Sequence, residues 1–107
     1  MDTKNLLKEI EKEIVTEAKL TFLKNGKEAV KDSRAFLAAI EEDLKRWSLQ
    51  LAEGSLSQDG FISLVKGDKD LAEMHALKQK GISRIMLNEF QDRMIGIIID
   101  RTIGLLG

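Results

Sequence analysis

The segment Val30–Leu51, VKDSRAFLAAIEEDLKRWSLQL, decides the fold. Val30, Leu37, Leu44 and Leu51 recur every seven residues, and Ile40 and Trp47 stand four residues before Leu44 and Leu51. This is the a/d spacing of a helix built to lie along another helix. Its apolar stripe has to be covered. On the other face Glu41 and Lys45, and Glu42 and Arg46, are spaced four apart in the favourable order, each pair worth a few tenths of a kcal/mol. A helix over about 27–53 follows.

Upstream, Leu7, Ile10, Ile14, Ala18 and Phe22 fall three or four apart, with Lys8, Glu9, Lys12, Glu13 and Lys19 outside that row. An amphipathic helix over about 3–24 is expected, with Thr3 as its N-cap. Asn25-Gly26 is a stop signal that tolerates left-handed backbone, so the two helices should form a hairpin. A competing pattern exists. Leu7, Ala18, Ala29, Ile40 and Leu51 share an eleven-residue spacing, which suits one straight helix from 3 to 53. The heptad row speaks for the hairpin, because extended backward it would meet Gly26, Lys19 and Lys12.

Downstream, Gly54-Ser55-Leu56-Ser57 ends the long helix, and Ser57 can cap a short one over 58–66 with Phe61, Leu64 and Val65 inward. Gly67 stops it. Asp68 then caps a helix over 69–80 carrying Leu71, Met74 and Leu77, closed by Gly81 after Lys78 and Lys80. Residues 82–87 read either as an extended link or as a helical turn. Asn88 and Gln91 form a capping box for a C-terminal helix over 89–105. Phe90, Met94, Ile97, Ile98 and Leu105 make its inner side, and Ile95 and Ile99 widen that side almost to the full circumference.

The expected fold is therefore all-α and a single domain over 1–107: a long hairpin (3–24 and 27–53), two short helices (58–66 and 69–80) and an apolar C-terminal helix (89–105). The composition agrees, with 33% charged and only 5% aromatic residues and no proline. A compact monomer of this mass would expose roughly 6,000 Å². An elongated form would bury less and lean on a partner.

Chemistry is sparse. There is no cysteine, which excludes disulfides, thiol catalysis and cysteine-ligated zinc and is compatible with a reducing cytoplasm. The amino terminus lacks a signal-peptide pattern. The longest apolar run, Met94–Ile99, is far short of the ~20 residues that span a bilayer. The one histidine, His75, has Ala72 three residues before it, so the Glu-x-x-His pattern of bundle metal sites is missing. Glu9, Glu13 and Glu17 share a helix face with lysines nearby and read as a solvated face. Asp68-x-Asp70 starts like a calcium loop but has Glu73 where a glycine is needed. Neither phosphate-loop glycine pattern occurs, and Gly81-x-Ser83-x-Ile85 is half of a nucleophile elbow. No catalytic, cofactor or metal residue is assigned.

Association is what remains. The row Val30, Leu37, Ile40, Leu44, Trp47 and Leu51, with Met94 and Ile98 of the last helix, is the expected helix-packing or self-association surface. It exceeds what a slender hairpin covers, so a homo-oligomer, or a complex with another protein, is expected. Signs of charge are interleaved: residues 1–24 carry five basic and five acidic residues, and 25–53 carry five and six. With no block of like charge, nucleic acid and membranes rank low as partners. A helix-turn-helix over 57–81 would present Asp68, Asp70 and Glu73 where phosphates sit. An interfacial C-terminal helix would have Arg93 and Arg101 offset by Asp92 and Asp100. No small-molecule ligand is indicated. Leu44→Asp is expected to unfold or dissociate the protein, since an unpaired carboxylate in apolar surroundings is costly. An unchanged melting temperature would show that the central helix packs by another face.

Overall fold

The computed structural model describes residues 2–106. It contains five α-helices and one 3-10 turn: α1 (Thr3–Thr21), α2 (Gly26–Glu53), α3 (Gln58–Gly67), the 3-10 turn Asp68–Leu71, α4 (His75–Gln79) and α5 (Arg84–Leu106). α1 and α2 form the hairpin. α3, the turn and α4 together return along α2 as one bent helix, and α5 runs back between α1 and α3. The result is an up-down-up-down bundle whose third member is broken.

Helix α1 is capped by Asp2, not Thr3: the Asp2 carboxylate accepts from the Asn5 amide at 3.1 Å. It buries Leu6, Ile10, Ile14 and Ala18, one residue per turn, while Leu7 is only partly buried. The helix ends at Thr21, earlier than 24. Phe22 closes it, and the Asn25 amide donates to the Phe22 carbonyl at 3.0 Å. The turn thus precedes Gly26, which starts α2 without a positive φ. At the other end of α2, Gly54 takes the left-handed conformation (φ 82°), and the Gln50 carbonyl accepts from its amide.

The central row of α2 is buried by its own chain. Ile40, Leu44 and Trp47 are almost fully covered, and so are Ala29 and Phe36. Val30, Leu37 and Leu51 lie at the margin of the core. Val30 borders the α1–α2 seam with Val15, and Leu37 borders it with Leu7. Met94 and Ile98 of α5 are fully buried. The seam therefore needs no second copy to hide it. The accessible surface is 6455 Å² and the radius of gyration 13.8 Å, close to a compact monomer of this length (about 13 Å).

Ser57 caps α3 as expected, accepting from the Gly60 amide at 3.0 Å, and Phe61 and Val65 are buried. Leu64 is exposed, contrary to expectation. Residues 69–80 do not form one helix. Gly67 does not stop the chain but leads into the 3-10 turn, Leu71 points outward, and Met74 adopts left-handed backbone (φ 58°, ψ 38°) before α4 begins. Met74 and Leu77 still reach the core. Helix α5 starts at Arg84 rather than 89. Ser83, not Asn88, caps it, its hydroxyl accepting from the Met86 amide at 3.2 Å. Gln91 instead donates to the Ala72 carbonyl at the break. Leu105 is exposed, not inward.

Two arginines fix α5 against α1 in antiparallel order. Glu13 pairs with Arg101, and Arg93 reaches Glu17 at 3.4 Å and Thr21 at 3.0 Å. The arginines thus serve α1 rather than Asp92 and Asp100. Phe22 and Phe90 meet edge to face with centroids 5.1 Å apart.

The break is held by Asp32. This buried carboxylate on α2 accepts from the amides of Ala76 at 3.0 Å and Leu77 at 2.8 Å, capping α4 from another helix. Asp32→Ala leaves both amides unpaired. A loss of about 2–3 kcal/mol is expected, a fall in Tm of roughly 10–20 °C, with Asp32→Asn intermediate. Thermal unfolding followed by circular dichroism measures it. An alanine variant that melts with the parent would show that α4 is held by other contacts.

Candidate docking surface at the hairpin end

The fold brings two distant segments to one end of the molecule. Residues 19–28 form the hairpin turn, and residues 77–86 join α4 to α5. Lys80 lies 3.7 Å from Glu28, and Phe22 packs on Phe90, so the first turn of α5 projects beside the hairpin. These two segments contain Lys19, Lys24, Lys27, Lys78, Lys80 and Arg84 but a single acid, Glu28. This end carries a net charge of +5 in a chain whose total is −1, leaving −6 on the rest. All six cations are exposed. Only Lys80 makes an ion pair among the described residues.

The same end is apolar at its tip. Leu23 is 82% exposed, Ile85 72% and Leu20 64%, the three most exposed large apolar side chains among the described residues. Met86 stands beside them. Elsewhere among the described residues Leu49, Leu64, Leu71 and Leu105 are the exposed large apolar side chains, each less exposed than these three. The expected association row is in the core or at its margin, and α5 turns Leu87, Phe90, Met94, Ile97 and Ile98 inward.

Other places hold less. His75 is exposed and pairs only with Glu73, which is two residues away. In the 57–81 region, the second helix is five residues long and its first turn is occupied by Asp32, so no recognition helix forms there. An open cleft of about 760 Å³ at the opposite end lies between the first turn of α1 and the last of α5, beside Leu6, Leu105 and Leu106. Its one cation, Arg101, is engaged by Glu13. Among the described residues no cluster of three or more metal-ligating side chains occurs, and no helix is long and apolar enough to cross a membrane.

One acidic pair stands apart. Asp68, at the bend after α3, faces Asp43, which accepts from Arg46 at 2.9 Å. Burial, and then the Asp43 charge and hydrogen bond, push the Asp68 carboxyl up to about 6. Its Oδ2 has no partner. A protonated Asp68 can donate to Asp43; an ionised one only repels it. The chain matches no family model, no curated protein and no solved structure.

The pair sets a pH dependence. Asp68 holds its proton more tightly when folded than when unfolded, where its carboxyl has the ordinary value of 3.8. Its contribution is fully present below about pH 4 and is lost as pH rises through about 6. Solvent screening at this half-buried position limits the loss to about 1 kcal/mol. Asp68→Asn is expected to melt higher than the parent at pH 7 and to flatten the change between pH 4 and 6. Parallel melting curves for both proteins across that range would remove the shared proton.

Proposed function

We propose that this protein is a small non-enzymatic association module that docks through its hairpin end. The observation that carries this is the coincidence there of three protruding aliphatic side chains with six exposed cations. Exposed apolar groups rimmed by charge mark interaction surfaces rather than catalytic ones. A catalytic site would gather a nucleophile, a base and an orienting group in a recess; the one imidazole here stands in solvent beside a single carboxylate. The expectation of a homo-oligomer rested on a ridge that lacked cover. Because α1, α3, the 3-10 turn and α4 pack on α2, docking is assigned to the hairpin end, onto a partner surface of acidic character. We place this activity in the cytoplasm, in keeping with the cysteine-free chain.

A photo-crosslinking residue introduced at position 23 or 85 tests this in cells that make the protein. Covalent adducts to protein or lipid, identified by mass spectrometry, are expected at both positions. The same residue at Leu49 or Leu64, which are exposed but lie away from the hairpin end, should yield none. Adducts spread evenly over the four positions, or confined to 49 and 64, would overturn the assignment.

A further inference from the structure

Leu23 occupies the turn itself, beyond the last residue of α1, and Ile85 lies in the first turn of α5. Behind this tip, a groove between α1 and α2 of about 620 Å³ is flanked by Lys19, Lys27, Lys31 and Arg34, with Val15 and Val30 at its floor. No carboxylate lines it. Arg34 is held by Glu11 at 3.2 Å, while the three lysines make no ion pair among the described residues. Exposed aliphatic groups at this end are thus interleaved with cations, Lys19 beside Leu20, Lys24 beside Leu23 and Arg84 beside Ile85.

That mixture of exposed aliphatic groups and cations matches one kind of surface. Nucleic acid would account for the cations but not for the leucines, since unpaired bases are met by aromatic side chains and Phe22 and Phe90 are buried. A protein partner would need an apolar surface with acids placed in the same interleaved pattern. A bilayer with anionic headgroups offers both chemistries without a shaped recess: phosphates for the cations, and acyl chains beside them for the aliphatic groups. We infer that the hairpin end docks on an anionic lipid surface, with Leu23, Leu20 and Ile85 entering the headgroup boundary and Lys19, Lys24, Lys27 and Arg84 over the phosphates. The inference rests on the hairpin end being the docking surface and names what it docks on. The bundle itself stays folded, because none of these side chains belongs to the core.

Co-sedimentation with vesicles of phosphatidylcholine, with and without phosphatidylserine, tests the inference on the full chain. Binding is expected only when phosphatidylserine is present, and it should weaken steeply as salt rises. Leu23→Asp should weaken it about tenfold or more, and Lys24→Glu and Lys27→Glu about fivefold or more each. Leu105→Asp, at the opposite end, should bind like the parent. All four variants should melt with the parent, since every altered side chain is exposed. Binding that ignores phosphatidylserine, or that Leu105→Asp impairs as much as Leu23→Asp, would overturn the inference. So would tighter binding to a duplex oligonucleotide that depends on Lys24 and Lys27 but not on Leu23. If vesicles do not bind while crosslinks at positions 23 and 85 still form to protein, the lipid assignment falls and the docking surface stands. If both fail, the docking surface falls as well.

Discussion

The carboxylate of Asp32 is the contact on which the arrangement of this bundle turns. It is a buried charge, and burial is tolerable only because two amides at the start of α4 point at it. Those amides are free because the chain breaks between Leu71 and His75, with Met74 in left-handed backbone. Such a conformation is costly for a side chain of this size. It is held from both sides: α2 supplies the acceptor for the new helix, and Gln91 of α5 donates to the Ala72 carbonyl left by the old one. The break bends the third member of the bundle toward the first turns of α2. Lys78, Lys80 and Arg84 are thereby delivered to the hairpin, so a buried interaction shapes an exposed one.

Charge shows most clearly what the order of residues conceals. Along the chain each basic stretch is modest, with three cations in 19–28 and three in 77–86. The basic end exists only in three dimensions, where 19–28 and 77–86 meet across fifty residues of sequence. Lys78 and Lys80 look like an ordinary favourable end to a helix, which they are, and Lys24 and Lys27 look like turn flanks. Neither pair draws attention alone. The lipid binding proposed here is of a kind that charge patterning ranks low, and it draws its support from the adjacency of the two segments.

The helices themselves were largely legible, for physical reasons that are local. Ser57 and Gly54 mark helix ends by bonding within a few residues, and the periodic rows of α1 and α2 report a single buried face each. The misreadings share a cause in non-local contact. Leu71, Met74 and Leu77 have helical spacing and no proline among them, yet the segment breaks, because Asp32 lies forty-four residues away and offers its amides a better partner. Asn88 and Gln91 have the spacing of a capping box, yet Ser83 caps α5 and Gln91 is committed to Ala72. The heptad row was also real but misassigned. Val30 and Leu37 border the seam with α1, and the centre of the face lies on Ala29, Phe36 and Ile40. Counting only a slender hairpin as cover omitted the three later elements that pack on it.

Stability and the proposed docking fall to separate residues in this molecule. Core closure uses Ile10, Ile14, Ile40, Leu44, Phe61, Leu77, Phe90 and Ile98, all nearly inaccessible to water. The tip residues Leu20, Leu23 and Ile85 contribute little to that closure, since most of each remains in solvent. Leaving three aliphatic side chains in water forgoes the free energy that burial would release, about 25 cal/mol per Å². A surface that covered them would recover part of it, and the surrounding cations would favour a negative surface in particular. The folded core requires no such cover. The proposed docking therefore requires no rearrangement of the bundle, and its affinity would be set by ionic strength and by the partner's charge rather than by a folding step.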